Sequence, residues 1–289
     1  GKQLSILLLK NGYEVSFLGR KKNSIGPIRT YEWNLEKKII DEEAVLKADH
    51  IIHLAGATVA KRWTKSYKQE IIDSRVKSAA LIFDVLKQNK NHVKSFISSS
   101  AVGFYEDGNE SFLNEDSPSG KNFLSQVCLQ WEAAANKFSE LNKRVAIIRT
   151  GIVLANEGGS FPELYNPIRF GVAPIFDGGN QFYPWLHIDD LCKIYLFILK
   201  NQQLTGVYNA CAPAPVKQIE LMNAIANAAQ KRKINIPVPS FVLKIMLGEF
   251  ADSLSSSLRC SSKKIEAAGF QFQYTQLSAA LESLLAQRN

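Results

Sequence analysis

The chain has 289 residues, 46% of them hydrophobic and 21% charged, with 35 basic against 27 acidic side chains and a formal net charge of +8. That length holds one large domain or two intimately joined ones, and the balance excludes a disordered, collagen-like or charge-dominated chain. The longest nearly apolar stretch, Leu191–Leu199, contains Lys193 and falls far short of the ~20 residues of a membrane span.

Lys2 to Asn11 reads as a helix that Gly12 terminates. Glu14–Leu18 is predicted as a short strand, Ile28–Trp33 as a weaker one, and Asp49–Ala55 as a strong one running into Ala55-Gly56-Ala57. Ser66–Gln88 keeps helical spacing through Ile71, Ile72, Val76, Ala79, Ala80, Phe83 and Leu86. His92–Ser98 reads as a strand, Phe123–Leu141 as a helix and Arg144–Arg149 as a strand. This alternation calls for a doubly wound parallel α/β sheet covered on both faces. Ligands bind such sheets at the carboxyl ends of the strands, so the informative loops follow Leu18, Leu54, Ile97 and Arg149.

After residue 155 Gly and Pro become frequent, with helices predicted at Ile188–Lys200, Gln218–Lys231, Phe241–Phe250 and Gln276–Gln287. The expected division is a ligand-binding sheet domain over 1–155 and a smaller C-terminal substrate domain over 156–289, with 183–210 returning to the first. Sheets of this type are entered by a central strand and a Gly-rich turn, whereas Gly1 already stands at a helix start; roughly ten upstream residues are therefore expected.

Cys128, Cys192, Cys211 and Cys260 show no metal-ligand spacing and no disulfide framework. No small-residue cleavage site follows Ile6–Leu9, and a cytoplasmic location is expected. The basic residues are scattered rather than gathered into a nucleic-acid-binding patch. Lys231-Arg232-Lys233 and Lys263-Lys264 read as solvated helix ends, while Arg20-Lys21-Lys22 falls at a strand end.

His53-Leu54-Ala55-Gly56, Ser98-Ser99-Ser100-Ala101-Val102, Arg149-Thr150-Gly151 and Trp185-Leu186-His187-Ile188-Asp189-Asp190 together resemble the extended short-chain dehydrogenase/reductase superfamily. Arg62-Trp63-Thr64, Ser74-Arg75-Val76, Trp131-Glu132 and Gly158-Gly159 narrow the resemblance to its atypical nucleoside-diphosphate-sugar epimerase-like branch. The tail from Gly248-Glu249 through Ala268-Gly269-Phe270 to Ala280-Leu281 is similar to that branch's C-terminal segment. The resemblance implies a Rossmann domain that binds NAD(P), with a small substrate domain.

Dinucleotide sites set a pyrophosphate on a helix N-terminus, and the resemblance makes Gly1 the last glycine of that turn. An NAD enzyme carries an acid at the next strand end. Here the position reads Leu18-Gly19-Arg20, and Arg20 is expected to pair with the 2′-phosphate of NADP. Leu54, Ala55 and Gly56 line the expected adenosine–pyrophosphate path, and Ser98, Ser99, Thr150 and Gly151 complete the cofactor set.

The superfamily's chemistry uses a serine and a Tyr-x-x-x-Lys pair in which Lys depresses the Tyr pKa. Ser100 matches the serine. Phe123 or Leu124 stands where tyrosine belongs, and Val127 or Cys128 where lysine does, so the standard pair is missing. Tyr105 is a candidate proton donor in the loop beyond Ser100, and His187 a candidate acid–base. Asp189 or Asp190 is expected to cap the helix to Lys200. Arg62, Trp63, Arg169, Trp185, His187 and Asn209 are candidate substrate contacts. The leading expectation is an NADP-binding, epimerase-like oxidoreductase acting on a small molecule such as a nucleotide sugar. The alternative is a catalytically silent NADPH-binding regulator resembling cell-division inhibitors. Neither involves nucleic acid, membrane or metal.

Overall fold

The computed structural model describes residues 1–21, 23–25, 28–108 and 110–288. Helix α1 (Lys2–Lys10) buries Leu4 and Leu8, and Gly12 leaves it at φ +81°, a conformation that costs glycine little. Strands β1 (Ser16–Gly19), β2 (Asn23–Ile25), β3 (Ile28–Asn34) and β4 (Ile39–Ile40) form a small sheet. In it β3 runs parallel to β1 and antiparallel to β2 and β4. Then come α2 (Glu42–Leu46), β5 (His50–His53), α3 (Lys65–Gln88), β6 (Ser95–Ala101), α4 (Phe123–Asn136) and β7 (Arg144–Thr150). The chain continues through β8 (Ile152–Leu154), α5 (Phe161–Arg169), β9 (Val172–Phe176), β10 (Phe182–Tyr183), β11 (Trp185–His187), α6 (Ile188–Lys200) and β12 (Gly206–Ala210). It ends with β13 (Val216–Lys217), α7 (Gln218–Ala228), β14 (Ile234–Val238), α8 (Ser240–Leu247), α9 (Phe250–Ser255), α10 (Lys263–Ala267) and α11 (Leu277–Ala286).

The main sheet is parallel throughout, in the order β12-β7-β6-β5. Successive strand residues point to opposite faces, and the cores follow that alternation. Ile97, Ala146 and Ile148 pack with Leu4 and Leu8 of α1 and Ile194 and Ile198 of α6. Phe96, Val145 and Ile147 pack with Ala79 and Ile82 of α3 and Ala134 and Ala135 of α4. Helices thus cover both faces, the doubly wound Rossmann-type α/β arrangement expected from the alternation. No helix among the described residues is long and apolar enough to cross a membrane.

Several boundaries differ from expectation, each for a local reason. The strand expected over Asp49–Ala55 pairs only over His50–His53, which frees Leu54–Ala57 as a loop. The strand expected over His92–Ser98 instead runs Ser95–Ala101, because its register with β7 reaches Ser100 opposite Arg149 and Ala101 opposite Thr150. The helix expected to reach Leu141 tightens into a 3₁₀ turn from Lys137 and stops where Asn142 turns left-handed at φ 56°. Gly248, at φ +63°, divides the helix expected over Phe241–Phe250 into α8 and α9.

Two strands lie in the Gly- and Pro-rich region where none is predicted. β9 holds Pro174 and β14 holds Pro237, yet the two pair in parallel, with Ile236 opposite Pro174 and Pro237 opposite Ile175. Ile234 N–H donates to the Gly171 carbonyl at 2.9 Å. Alternation then turns Ile236 toward β9 and points the backbone groups of Asn235 and Pro237 outward, where a missing donor is tolerated. The C-terminal segment is tied down by buried Asp190, whose carboxylate accepts from Gln273 N–H at 2.8 Å and Tyr274 N–H at 2.9 Å.

Candidate functional site

The space between β1 and β5 forms a cleft. Gly1 at the N-cap of α1, Arg20 just past β1, and Leu54, Ala55 and Gly56 just past β5 all line it. These five residues, expected from the sequence to share a function, therefore share one wall system. Arg20 is exposed; Lys22, grouped with it in the sequence, lies outside the described residues. The Leu54–Ala57 loop is fixed from below, since Ala57 N–H donates to the Ser74 hydroxyl at 2.9 Å.

Beneath Gly56 lies the guanidinium of Arg75, placed so that a Cβ on residue 56 would sit 2.8 Å from its Cζ. Arg75 is 9% exposed and rests over the Trp131 ring, 4.8 Å from the centroid. Its Nη1 donates to the Ile71 carbonyl at 2.8 Å. Beside it, the Trp131 indole N–H donates to His53 Nδ1 at 3.3 Å, which leaves Nε2 to donate to the Ser78 hydroxyl at 2.8 Å. Burial, assisted by the Arg75 charge, pushes the His53 pKa down to about 4. His53 is a neutral structural ring at pH 7.

A second polar centre is built where the carboxyl ends of β6, β7 and β12 meet α4. Arg149 grips Glu132 with both Nε and Nη2 at 2.9 Å, and the Ser100 hydroxyl donates to Glu132 Oε1 at 2.7 Å. Arg149 Nη1 donates to the Tyr105 hydroxyl at 3.0 Å, which in turn donates to Asn209 Oδ1 at 2.6 Å. Asn209 N–H donates to Glu115 Oε1 at 2.7 Å. The guanidinium also lies 3.4 Å from the Phe104 ring centroid. Burial lowers the Arg149 pKa, but the hydrogen bonds and charge of Glu132 outweigh it and hold the group cationic.

This network corrects several placements expected from the sequence. Ser100 is 2% exposed and its proton is committed to Glu132. Tyr105 is 1% exposed rather than in an open loop. Burial raises its pKa, and its hydroxyl is engaged on both sides. Asn209 is fully buried in the same network rather than in a substrate pocket. Trp185 is also fully buried, donating from its indole to the Ala214 carbonyl at 2.8 Å. His187, not Asp189 or Asp190, caps α6: its Nδ1 accepts from Asp189 N–H, and its ring packs 4.0 Å from that of Tyr274.

Other expected residues lie apart. Ser98 is buried and donates to the Ser99 carbonyl, while Ser99 and Thr150 meet the buried Tyr195 hydroxyl. Gly151 packs against the Pro184 carbonyl. Arg169 is exposed at the end of α5. Trp63 packs edge-on against Phe123 at 4.9 Å and near Phe250 at 5.7 Å, and Arg62 lies beside Gly248. Glu132, Arg149 and Arg75 were legible as motif letters but not as a site. The signal was charge: an acid and an arginine in segments that a parallel sheet must bring to one edge.

Residues 1–211 match the NAD dependent epimerase/dehydratase family, and residues 238–284 match a domain of unknown function, DUF1731. The chain belongs to the epimerase/dehydratase family. It is 32% identical over 287 residues to an epimerase family protein of Staphylococcus aureus (strain MRSA252), covering 99% of this chain and 95% of that one. The crystal structure of the human epimerase family protein SDR39U1 with NADPH superposes with a TM-score of 0.88 at 27% identity, over 99% of this chain and 95% of that one. The UDP-glucuronic acid 4-epimerase of Bacillus cereus, in complex with UDP-glucuronic acid and NAD, shares the fold at a TM-score of 0.80 and 16% identity, over 100% of this chain and 96% of that one.

In this epimerase-family protein the α4 register is settled by contact. Leu124 packs against Gly103, with its Cβ 3.3 Å from where a Cβ there would lie. Cys128 Sγ lies 3.6 Å from the Ala101 carbonyl. Leu124 and Cys128, not Phe123 and Val127, therefore face the end of β6, where the Tyr-x-x-x-Lys pair is expected. Burial and then the Glu132 charge push the Cys128 thiol up to about 11, so neither residue exchanges a proton near pH 7.

Proposed function

We propose that the protein binds NADP(H) in the β1–β5 cleft and acts as an epimerase-like oxidoreductase on a small molecule. The observation that carries this reading is the meeting in one cleft of Arg20, Gly1 and the Leu54–Gly56 loop, with no acid at the end of β1. The chain's own residues fit the group. The free N–H groups at the start of α1 favour a pyrophosphate. Gly56, exposed and without a side chain, lets a ligand approach the loop backbone. Arg20 offers a charge-assisted contact to a 2′-phosphate. The bound cofactor would supply a hydride; the chain binds it and holds its phosphates. The NADPH carried by the human relative supports the phosphorylated form, although the B. cereus neighbour carries NAD.

NADPH is expected to bind at least tenfold tighter than NADH, a difference of ~1.4 kcal/mol. Arg20→Asp should erase or invert that preference in a fluorescence titration, and an unchanged ratio would remove Arg20 from the 2′-phosphate site.

A second reading is favoured by α4. With Leu124 and Cys128 facing the strand end and Ser100 engaged by Glu132, the cleft holds a cofactor without the usual proton carriers. In that reading the protein is a catalytically silent NADPH-binding regulator. Oxidation of bound NADPH by any fraction of a metabolite extract decides for the oxidoreductase; none decides for the regulator.

A further inference from the structure

Arg75 is a charge without a counter-charge. Among the described residues no carboxylate lies within ion-pair distance of it, its Nε is fully buried with no acceptor, and its one hydrogen bond goes to the Ile71 carbonyl. A buried guanidinium left in this state is costly, and such groups are ordinarily paired. The Arg149–Glu132 pair in the same protein shows what a satisfied one looks like. Position matters equally. The guanidinium lies flat against Gly56, 2.8–3.1 Å from where a Cβ would be, and Gly56 lines the cleft. A side chain at 56 would occupy that space. On its other side are Trp131 and, within electrostatic range, Cys128, the residue standing where the missing lysine is expected.

We propose that Arg75 is an oxyanion-binding residue behind the Leu54–Ala57 loop, against Gly56, supplying from α3 the cation that α4 lacks, for a phosphate or carboxylate group. Two sources present that chemistry: the pyrophosphate of a dinucleotide, and a separate small acid bound beside it. Trp131 beneath the guanidinium shields it from water on that side, which strengthens a charge-assisted contact. The inference rests on the cofactor reading only for the first source; the second stands without it.

The test is made in the Arg20→Asp background, so that phosphate at Arg20 does not contribute. Thermal midpoints are recorded with inorganic phosphate or acetate against chloride at equal ionic strength, beside NADPH titrations. Phosphate or acetate should raise the midpoint by ligand linkage. Arg75→Met should abolish that rise, and Arg75→Lys should retain part of it. Without ligand, Arg75→Met should melt no lower than its parent, since it removes an unpaired buried charge. If the source is the dinucleotide, Arg75→Met weakens NADPH at least tenfold, and NADPH saturation silences the anion response. If the source is a separate acid, NADPH affinity stays within threefold and the response persists under saturation. An Arg75→Met protein with its parent's NADPH affinity and anion response, or a parent with no response to either anion and NADPH affinity indifferent to Arg75→Met, overturns the proposal. So does a ligand-free Arg75→Met protein that melts far below its parent, which would make the guanidinium structural. A wild-type protein that responds to anions through Arg75 yet binds no NADPH overturns the cofactor reading alone.

Discussion

Arg149→Met should lower the free energy of unfolding by about 3–5 kcal/mol, because it strands the Glu132 carboxylate in a buried site. Glu132 would keep only the Ser100 hydroxyl, while the Tyr105 hydroxyl would lose its Arg149 donor. Arg149, on β7, also ties a helix and two connecting segments together: it reaches Glu132 on α4, Tyr105 beyond β6 and the Glu115 carbonyl at 3.2 Å. Adding Glu132→Leu should restore much of the loss, since removing both charges is far cheaper than removing one. Urea unfolding of the single and double variants forms a cycle whose coupling measures the pair directly. A loss under about 1 kcal/mol for Arg149→Met would place the pair among solvated ion pairs and contradict its burial.

Gly151→Ala should cost about 3 kcal/mol or more of stability, at the upper end of overpacking effects. The added Cβ would stand 2.1 Å from the Pro184 carbonyl oxygen, and the Ala210 carbonyl is close behind at 3.3 Å. Neither obstacle is a side chain that can swing away. Gly151 N–H donates to Ala210 O at 2.9 Å and Ile152 N–H to Pro184 O at 2.7 Å, so shifting the backbone breaks the joint that leads into the β8–β11 pair. The same variant separates two roles for this glycine. Lost stability with unchanged NADPH affinity per folded molecule assigns it to packing; retained stability with lost affinity returns it to the cofactor set expected from the sequence.

What was legible in the sequence is what depends on neighbours along the chain. Helix α6 runs Ile188–Lys200 as its periodicity predicts, and α3 differs by one residue at its start. The parallel sheet followed from alternation alone. Side-chain partnership across the fold was not legible. Ser100 lies 32 residues from Glu132, and Tyr105 lies 104 from Asn209. A serine run and a loop tyrosine therefore read equally well as catalytic or structural until the register of β6 on β7 is known. His187 misled in the other direction, since a histidine before two aspartates draws attention to the acids as caps, while its own Nδ1 does the capping. β9 and β14 lie in the Gly- and Pro-rich region where no strand is predicted, and a proline in a strand does not by itself say which edge it faces.

That last detail bears on how the protein behaves in a crowded solution. β14 is largely solvent-exposed, with Ile234 and Ile236 among the exposed large hydrophobic residues, the kind of edge on which two molecules can zip together. Because Ile234 turns its N–H to Gly171, the outward backbone positions are Asn235 and Pro237. Only the first carries a hydrogen to donate. The proline thus leaves the strand's rim short of one rung, which disfavours runaway self-assembly along it.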